Sequence, residues 1–134
     1  MVDDDPSIRL VCRFNLEAAG IEVLEAVDGE DAIGTIREED VDLVLLDVMM
    51  PRRDGWEVAQ TLAAAAGKRR PAVVFLTARA ERADRRRAAE LGAVGYVTKP
   101  FDPVELVERI PRILDRLGRG EHEQLRREVI DDEP

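Results

Sequence analysis

The segment Leu43-Val44-Leu45-Leu46 is apolar at every position and stops on a carboxylate, Asp47. A short run without alternation, bounded by turn residues, reads as a strand buried on both faces, as strands are in parallel sheets. Ala72-Val73-Val74-Phe75-Leu76, ending on Thr77, has the same form. Helical patterns surround them. One covers Pro6 to Ala19 with Asp5 as N-cap and Pro6 at the first helical position. A second opens at Asp28-Gly29-Glu30-Asp31 and runs to about Glu38. A third runs from Asp54-Gly55-Trp56-Glu57 to Gly67, and a fourth from Ala83 to Leu91, closed by Gly92. The last spans Asp102 to Leu117, where the internal Pro111 predicts a kink or a break. Two more strands are predicted, at Ile21 to Val27 and Val94 to Thr98. Helices alternating with strands over short links build a parallel sheet covered on both faces.

One element falls short. Such a chain should begin with a strand of ~5 residues. Here Met1 and Val2 alone precede the acids Asp3-Asp4-Asp5. In the strand order 2-1-3-4-5 the first strand is interior, so the shortfall leaves a slot between two buried strands.

The 134 residues make one domain, and 45% hydrophobic with 37% charged residues is a globular balance. No apolar run approaches the ~20 residues of a membrane span, and no signal-peptide pattern is present, so no membrane is expected as a partner. A net charge of −9 argues against direct nucleic-acid binding. One cysteine, Cys12, fits a reducing, cytoplasmic setting and shares a helical face with Ile8 and Val11, which favours core packing. The single histidine, His122, lies in a charged stretch, so a zinc site or a Cys/His catalytic pair has no basis.

Chemistry concentrates at the carboxyl ends of the strands. Asp3 and Asp4 follow the first, Asp47 the third, Thr77 the fourth and Lys99 the fifth. Three carboxylates together would repel and raise one another's pKa values. A hard divalent cation removes that conflict, and an oxygen-rich site suits Mg²⁺. A hydroxyl and an ammonium beside it form a cage for the oxygens of a transferring phosphoryl group, with Asp47 as nucleophile.

Four segments carry a resemblance: Val2-Asp3-Asp4-Asp5-Pro6; Leu45-Leu46-Asp47-Val48-Met49-Met50-Pro51 with Asp54-Gly55; Phe75-Leu76-Thr77-Ala78; and Gly95-Tyr96-Val97-Thr98-Lys99-Pro100-Phe101. Together they closely resemble the receiver domains of two-component response regulators, over residues 2 to 117. The resemblance implies a flavodoxin-like, doubly wound α/β fold with a five-stranded parallel sheet, here with a truncated first strand. It implies that Asp47 accepts a phosphoryl group from a histidine kinase or phosphotransfer protein. Asp4 and Asp47 would ligate Mg²⁺ directly with the backbone carbonyl of Met49, and Asp3 through bound water. Thr77 and Lys99 would bind the phosphoryl oxygens. Tyr96 would rotate inward as Thr77 moves, changing the surface of the fourth helix, fifth strand and fifth helix for a downstream protein target. A cis Lys99-Pro100 bond is also implied. The chain would be a stand-alone switch rather than an enzyme, with homodimerisation left open.

Other readings stand beside this one. A receiver-shaped interaction module would not be phosphorylated, because the short first strand misplaces Asp3 and Asp4. An aspartyl phosphohydrolase needs a second acid where Met49 stands, and a flavodoxin-type cofactor carrier needs a hydroxyl- or glycine-rich phosphate loop where acids stand. The run Arg79, Arg82, Arg85, Arg86, Arg87 reads as a solvated helix face, or alternatively as a dock for an acidic partner. The receiver unit is expected over residues 1–117 and a charged extension over 118–134. The extension is read as a frayed helix or tail. A sharper expectation is that 128–132 supplies the missing strand, in cis or by exchange between chains, with Asp131 and Asp132 replacing Asp3 and Asp4. A start upstream of Met1 is the third option.

Overall fold

The computed structural model describes residues 1–50, 54–64, 70–79 and 81–131. Helix α1 (Pro6–Ala18) starts where Asp5 Oδ1 accepts the Ser7 and Ile8 amides at 2.9 and 3.4 Å. It buries Cys12 and Leu16, and Gly20 ends the turn at a φ of 88°. Burial pushes the Cys12 thiol up to about 11, in keeping with packing rather than reactivity. Helix α2 (Gly29–Glu38) is capped by Asp28, which accepts the Asp31 amide at 2.9 Å. Then follow β1 (Leu43–Leu46), α3 (Gly55–Ala64), β2 (Ala72–Thr77), α4 (Arg82–Glu90), β3 (Gly95–Thr98), α5 (Pro103–Gly118) and α6 (His122–Asp131). Strand order is β1-β2-β3, all parallel, with Leu43 opposite Ala72 and Val74 opposite Gly95.

Strand side chains divide by parity between two apolar layers. Val44, Leu46, Val73 and Phe75 face α2, α3 and α4, while Leu45, Val74 and Leu76 face α1 and α5. This explains the unbroken apolar runs: each strand is buried on both faces.

Five strands were expected and three form among the described residues. The first is a stub in which Val2 bridges Ala26 on one side and Leu46 on the other, both in the parallel sense. The second, expected over Ile21 to Val27, contributes Ala26 alone. A parallel ladder needs a neighbour along its length, and the stub supplies one at a single level. The vestigial order, Ala26 then Val2 then Leu46, is that of the expected sheet. The fifth strand begins at Gly95 rather than Val94. Helix α5 includes Pro111 without a break, contrary to expectation if the proline were to end it. Pro51, the third helix's expected end at Gly67 and Asp132 lie outside the described residues.

The C-terminal segment is a helix, one of the forms expected, but a packed rather than a frayed one, and it is not a replacement strand. Residues 122–131 form α6, which packs on α4, β3 and α5. Leu125 and Val129, four residues apart on one face, are both 3% exposed. Arg126 Nε donates to the Ala89 carbonyl at 2.6 Å, and Arg116 pairs with Glu128 and Glu121 at 2.6 and 2.9 Å. Placing 128–131 in a helix on this side rules out their pairing beside Val2. Two aliphatic anchors on an amphipathic segment favour helix over strand here.

Because Leu125 belongs to the core, Leu125→Ala should lower unfolding free energy by about 2–4 kcal/mol in urea titrations. A change within about 0.5 kcal/mol, as for a surface residue, would mean that α6 is not packed.

Candidate functional site

Each reactive side chain is positioned by backbone that the sheet itself fixes. The Val2 amide donates to Leu45 O at 2.8 Å and the Asp47 amide to Val2 O at 3.0 Å, so Asp3 and Asp47 leave the sheet side by side. Asp3 is held further. Arg9 Nη1 donates to its carbonyl at 2.7 Å, and the Asp5 amide donates to its Oδ1 at 2.9 Å. Gly55 presses on the other neighbour. Its amide donates to Val48 O at 2.8 Å, and a Cβ there would stand 2.3 Å from the Asp47 carbonyl oxygen. Sequence reading placed Gly55 in a motif and missed its reason, which is that no side chain fits against the end of β1.

Lys99 Nζ lies between the two acids, 2.7 Å from Asp3 Oδ2 and 2.8 Å from Asp47 Oδ2. Asp3 is fully buried and Asp47 is 5% exposed, whereas Asp4 is exposed. Carboxylate oxygens of Asp3, Asp4 and Asp47 all come within 4.8 Å of one another. Met49, two residues beyond Asp47, donates its amide to Asp47 Oδ1 at 3.1 Å and exposes its side chain. The peptide bond Lys99-Pro100 is cis, as the resemblance implied. The structure thus brings together every acid that the sequence nominated, despite the short first strand.

Thr77 ends β2 in a buried position. Its Oγ1 accepts the Arg79 amide at 3.2 Å, and its carbonyl accepts the Lys99 amide at 2.9 Å. Tyr96 is buried, with its hydroxyl donating to the Arg79 carbonyl at 2.5 Å. Arg79 therefore links Thr77 to Tyr96 through its backbone, a role that nothing in its charged side chain foretold. The Arg85 guanidinium lies 4.8 Å from the Tyr96 ring centre and is 5% exposed, so Arg85 departs from the solvated face expected of the run. Arg79, Arg82, Arg86 and Arg87 are exposed. Trp56 packs on Phe75 with ring centres 4.9 Å apart, and Asp54 caps α3 by accepting the Glu57 amide at 2.9 Å.

Electrostatics follow from burial. Desolvation raises the Asp47 pKa, against the opposing pull of Lys99 and the Met49 amide. For Lys99, burial alone would lower the pKa, but bonds to Asp3 and Asp47 outweigh it and the net shift is upward. Burial pushes Tyr96 up to about 12. The donor set of Asp3, Asp4 and Asp47 is all carboxylate oxygen, with neither nitrogen nor sulfur, and this fits a hard divalent cation.

The family model for the response regulator receiver domain matches residues 1–111. The chain belongs to this family of two-component signalling. Its fold is shared by the Vibrio cholerae chemotaxis protein CheY4 at 29% identity and a TM-score of 0.77, covering 84% of this chain and 93% of that one. The response regulator DrrB of Thermotoga maritima, described as an OmpR/PhoB homolog, aligns at 33% identity and a TM-score of 0.76 over 87% of this chain and 51% of its own. A probable transcriptional regulator, ycf27 of Porphyridium aerugineum, is 39% identical over 120 residues, which is 90% of this chain and 49% of that protein. The chain therefore spans about half the length of this relative. The relative's name leaves the expectation of no nucleic-acid partner without support. Among the described residues no helix is long and apolar enough to cross a membrane.

The raised Lys99 pKa fixes the sign of a pH effect. Its contribution to stability is complete below the ordinary lysine value of 10.5 and is lost as pH climbs through its higher folded value. Tyr96 loses stability in the same direction, so the comparison with Lys99→Met isolates the lysine. That variant should be less stable at pH 7 by about 3–5 kcal/mol, because two buried carboxylates lose their countercharge. Urea midpoints of the two proteins should converge above pH 10.5. Parallel curves across that range would show that Lys99 does not hold the pair.

Proposed function

We propose that this chain is a phosphorylation-dependent switch in which Asp47 accepts a phosphoryl group from a phosphohistidine on a kinase or phosphotransfer protein. The observation that carries this reading is the single ammonium of Lys99 bridging Asp3 and Asp47, with the Thr77 hydroxyl on the adjoining strand end. An Asp47 carboxylate oxygen forms the new O–P bond while the P–N bond breaks, and its electron pair returns to the imidazole of the donor. Desolvation strips water from the nucleophile, and Lys99 holds it ionised and oriented. As negative charge spreads onto the phosphoryl oxygens, the Lys99 ammonium can redirect a donor from the carboxylates to one of them. The Thr77 oxygen already accepts from the Arg79 amide, so its own proton serves as a second donor. Asp3, Asp4 and Asp47 would hold Mg²⁺, with the Met49 carbonyl as a further ligand. When bound, the ion neutralises the acids and the incoming phosphoryl oxygens.

Thr77 moving toward a phosphoryl oxygen would pull on Arg79 and so on Tyr96, which lies beneath the α4–β3–α5 face. That face would carry the signal to a downstream protein. The same switch serves a receiver acting alone and one within a longer regulator. Placement of Asp3 and Asp4 beside Asp47 supports this reading over an interaction module that cannot be phosphorylated.

Incubation with Mg²⁺ and acetyl phosphate should add the mass of one phosphoryl group, and Asp47→Asn should add none. Thr77→Ala should slow the gain by about 10²-fold, the usual loss for one donor to a developing charge. A phosphoryl group that survives Asp47→Asn would overturn the site.

A further inference from the structure

Strand β3 is an edge of the sheet, and α6 packs against it and against α4 and α5 on either side. The two anchors of α6 reach opposite layers. Leu125 joins the cluster of Val94 and Ile113, and Val129 joins that of Ala88, Ala89 and Tyr96. Polar contacts set the register. Arg126 Nε donates to the Ala89 carbonyl at 2.6 Å in the last turn of α4, where a cation suits the helix dipole. Glu121 and Glu128 hold Arg116 of α5 at 2.9 and 2.6 Å. The segment has the pattern of a helical ligand carried within the chain: aliphatic residues four apart, a base after the first and an acid before the second.

The fit is incomplete. Arg85, Ala88 and Ala89 share one face of α4. Arg85 is 5% exposed and stands 4.8 Å from the Tyr96 ring centre, yet its Nε and Nη1 have no hydrogen-bond partner among the described residues. Buried donors left unpaired are costly. A cavity of about 370 Å³ also remains between β3, α5 and α6, lined by Tyr96, Arg112, Ile113, Leu125, Glu128 and Val129. Helix α6 covers this face without filling it.

We propose that the β3 edge between α4 and α5 is a docking site for an amphipathic helix, held in this structure by α6 and open to exchange with a partner protein's helix of the same pattern. Only the trigger rests on the proposed function: a move of Tyr96 driven from Thr77 would take away the wall against which Val129 packs. Being tethered, α6 competes at a roughly millimolar effective concentration. A partner helix that also brings a carboxylate to Arg85 would satisfy donors that α6 leaves open, which gives it the advantage needed to displace α6.

The test uses the full chain and a synthetic peptide of residues 121–131. Arg126→Ala with Glu128→Arg removes the polar contacts of α6 and leaves both aliphatic anchors in place. Amide resonances of Ala88, Ala89 and Tyr96 should shift in this variant at about tenfold lower peptide concentration than in the wild type, whose own helix competes. The same peptide carrying Leu125→Asp should shift neither protein. An equal response of the two proteins, or none in either at millimolar peptide, would overturn the docking site. Wild-type dimers that the peptide dissociates would assign the site to a second copy of the chain and overturn the partner. For the trigger, mass and hydrogen exchange are read on one sample treated with Mg²⁺ and acetyl phosphate. Amides of residues 125–131 should exchange more than about tenfold faster in the phosphorylated chain, with those of β2 unchanged. A phosphoryl group gained without that change would overturn release through Tyr96 and leave the proposed function standing. No phosphoryl group gained would overturn the proposed function and the trigger together, while the peptide result still decides the docking site.

Discussion

Everything at the carboxyl edge of this sheet depends on one ammonium. Asp3 and Asp47 come from different parts of the chain, both buried, with carboxylates that repel at close range. Lys99 makes their proximity tolerable by bonding an oxygen of each within 2.8 Å. Removing one member of such a group leaves an uncompensated buried charge, which is why ion pairs of this kind are costly to break even where they add little net stability. The same bond ties the stub, β1 and the segment after β3 into one unit. A bridge of this type is also exchangeable. A cation entering the cluster would offer its own compensation, and on the proposed reading the lysine, the clasp of the resting fold, is then freed to bind an incoming phosphoryl oxygen.

The clasp would be useless if Asp3 wandered, and its positioning is achieved with little strand. Val2 contributes one level of pairing on each side, and the Arg9 guanidinium and Asp5 amide fix the backbone and carboxylate of Asp3 from α1. Helix capping and sheet pairing meet at three consecutive acids: Asp3 enters the site, Asp4 stays at the surface and Asp5 starts α1. The acidic N-terminus is thus three separate devices, distinguished by burial. Pairing at the single level of Val2 thus stands directly behind the site and fixes its geometry.

What could be read from the sequence follows from the range of the interactions involved. The apolar runs Leu43–Leu46 and Ala72–Leu76 announce two-sided burial because every residue reports the same environment. The site residues were legible because each ends a strand, and a parallel sheet brings strand ends together. Ile21 to Val27 misled because strand propensity is local while a ladder needs a neighbour; lacking one, Leu24 and Val27 stay exposed. The C-terminal segment misled in the opposite way. Its echo of the N-terminal acids is a likeness of letters, whereas the four-residue spacing of Leu125 and Val129 is the signal that burial used. Arg79 and Gly55 matter through backbone atoms, which side-chain identity does not advertise.

On the proposed reading, helix α6 changes what the switch face would be. Thr77 is linked through the Arg79 backbone to the Tyr96 hydroxyl, and Tyr96 shares an apolar cluster with Ala88, Ala89 and Val129. The cluster that receives Tyr96 therefore includes a residue of α6. Tyr96 and Val129 line a common cavity of about 370 Å³, so on the proposed reading a shift of Tyr96 would be felt at the α6 side of that cavity. Helix α6 is itself held by Leu125 and Val129, by the Arg126 bond to the Ala89 carbonyl and by ion pairs of Arg116, which are worth little individually. On the proposed reading, a change at Thr77 would therefore be passed through Tyr96 to the cluster that includes Val129 of α6.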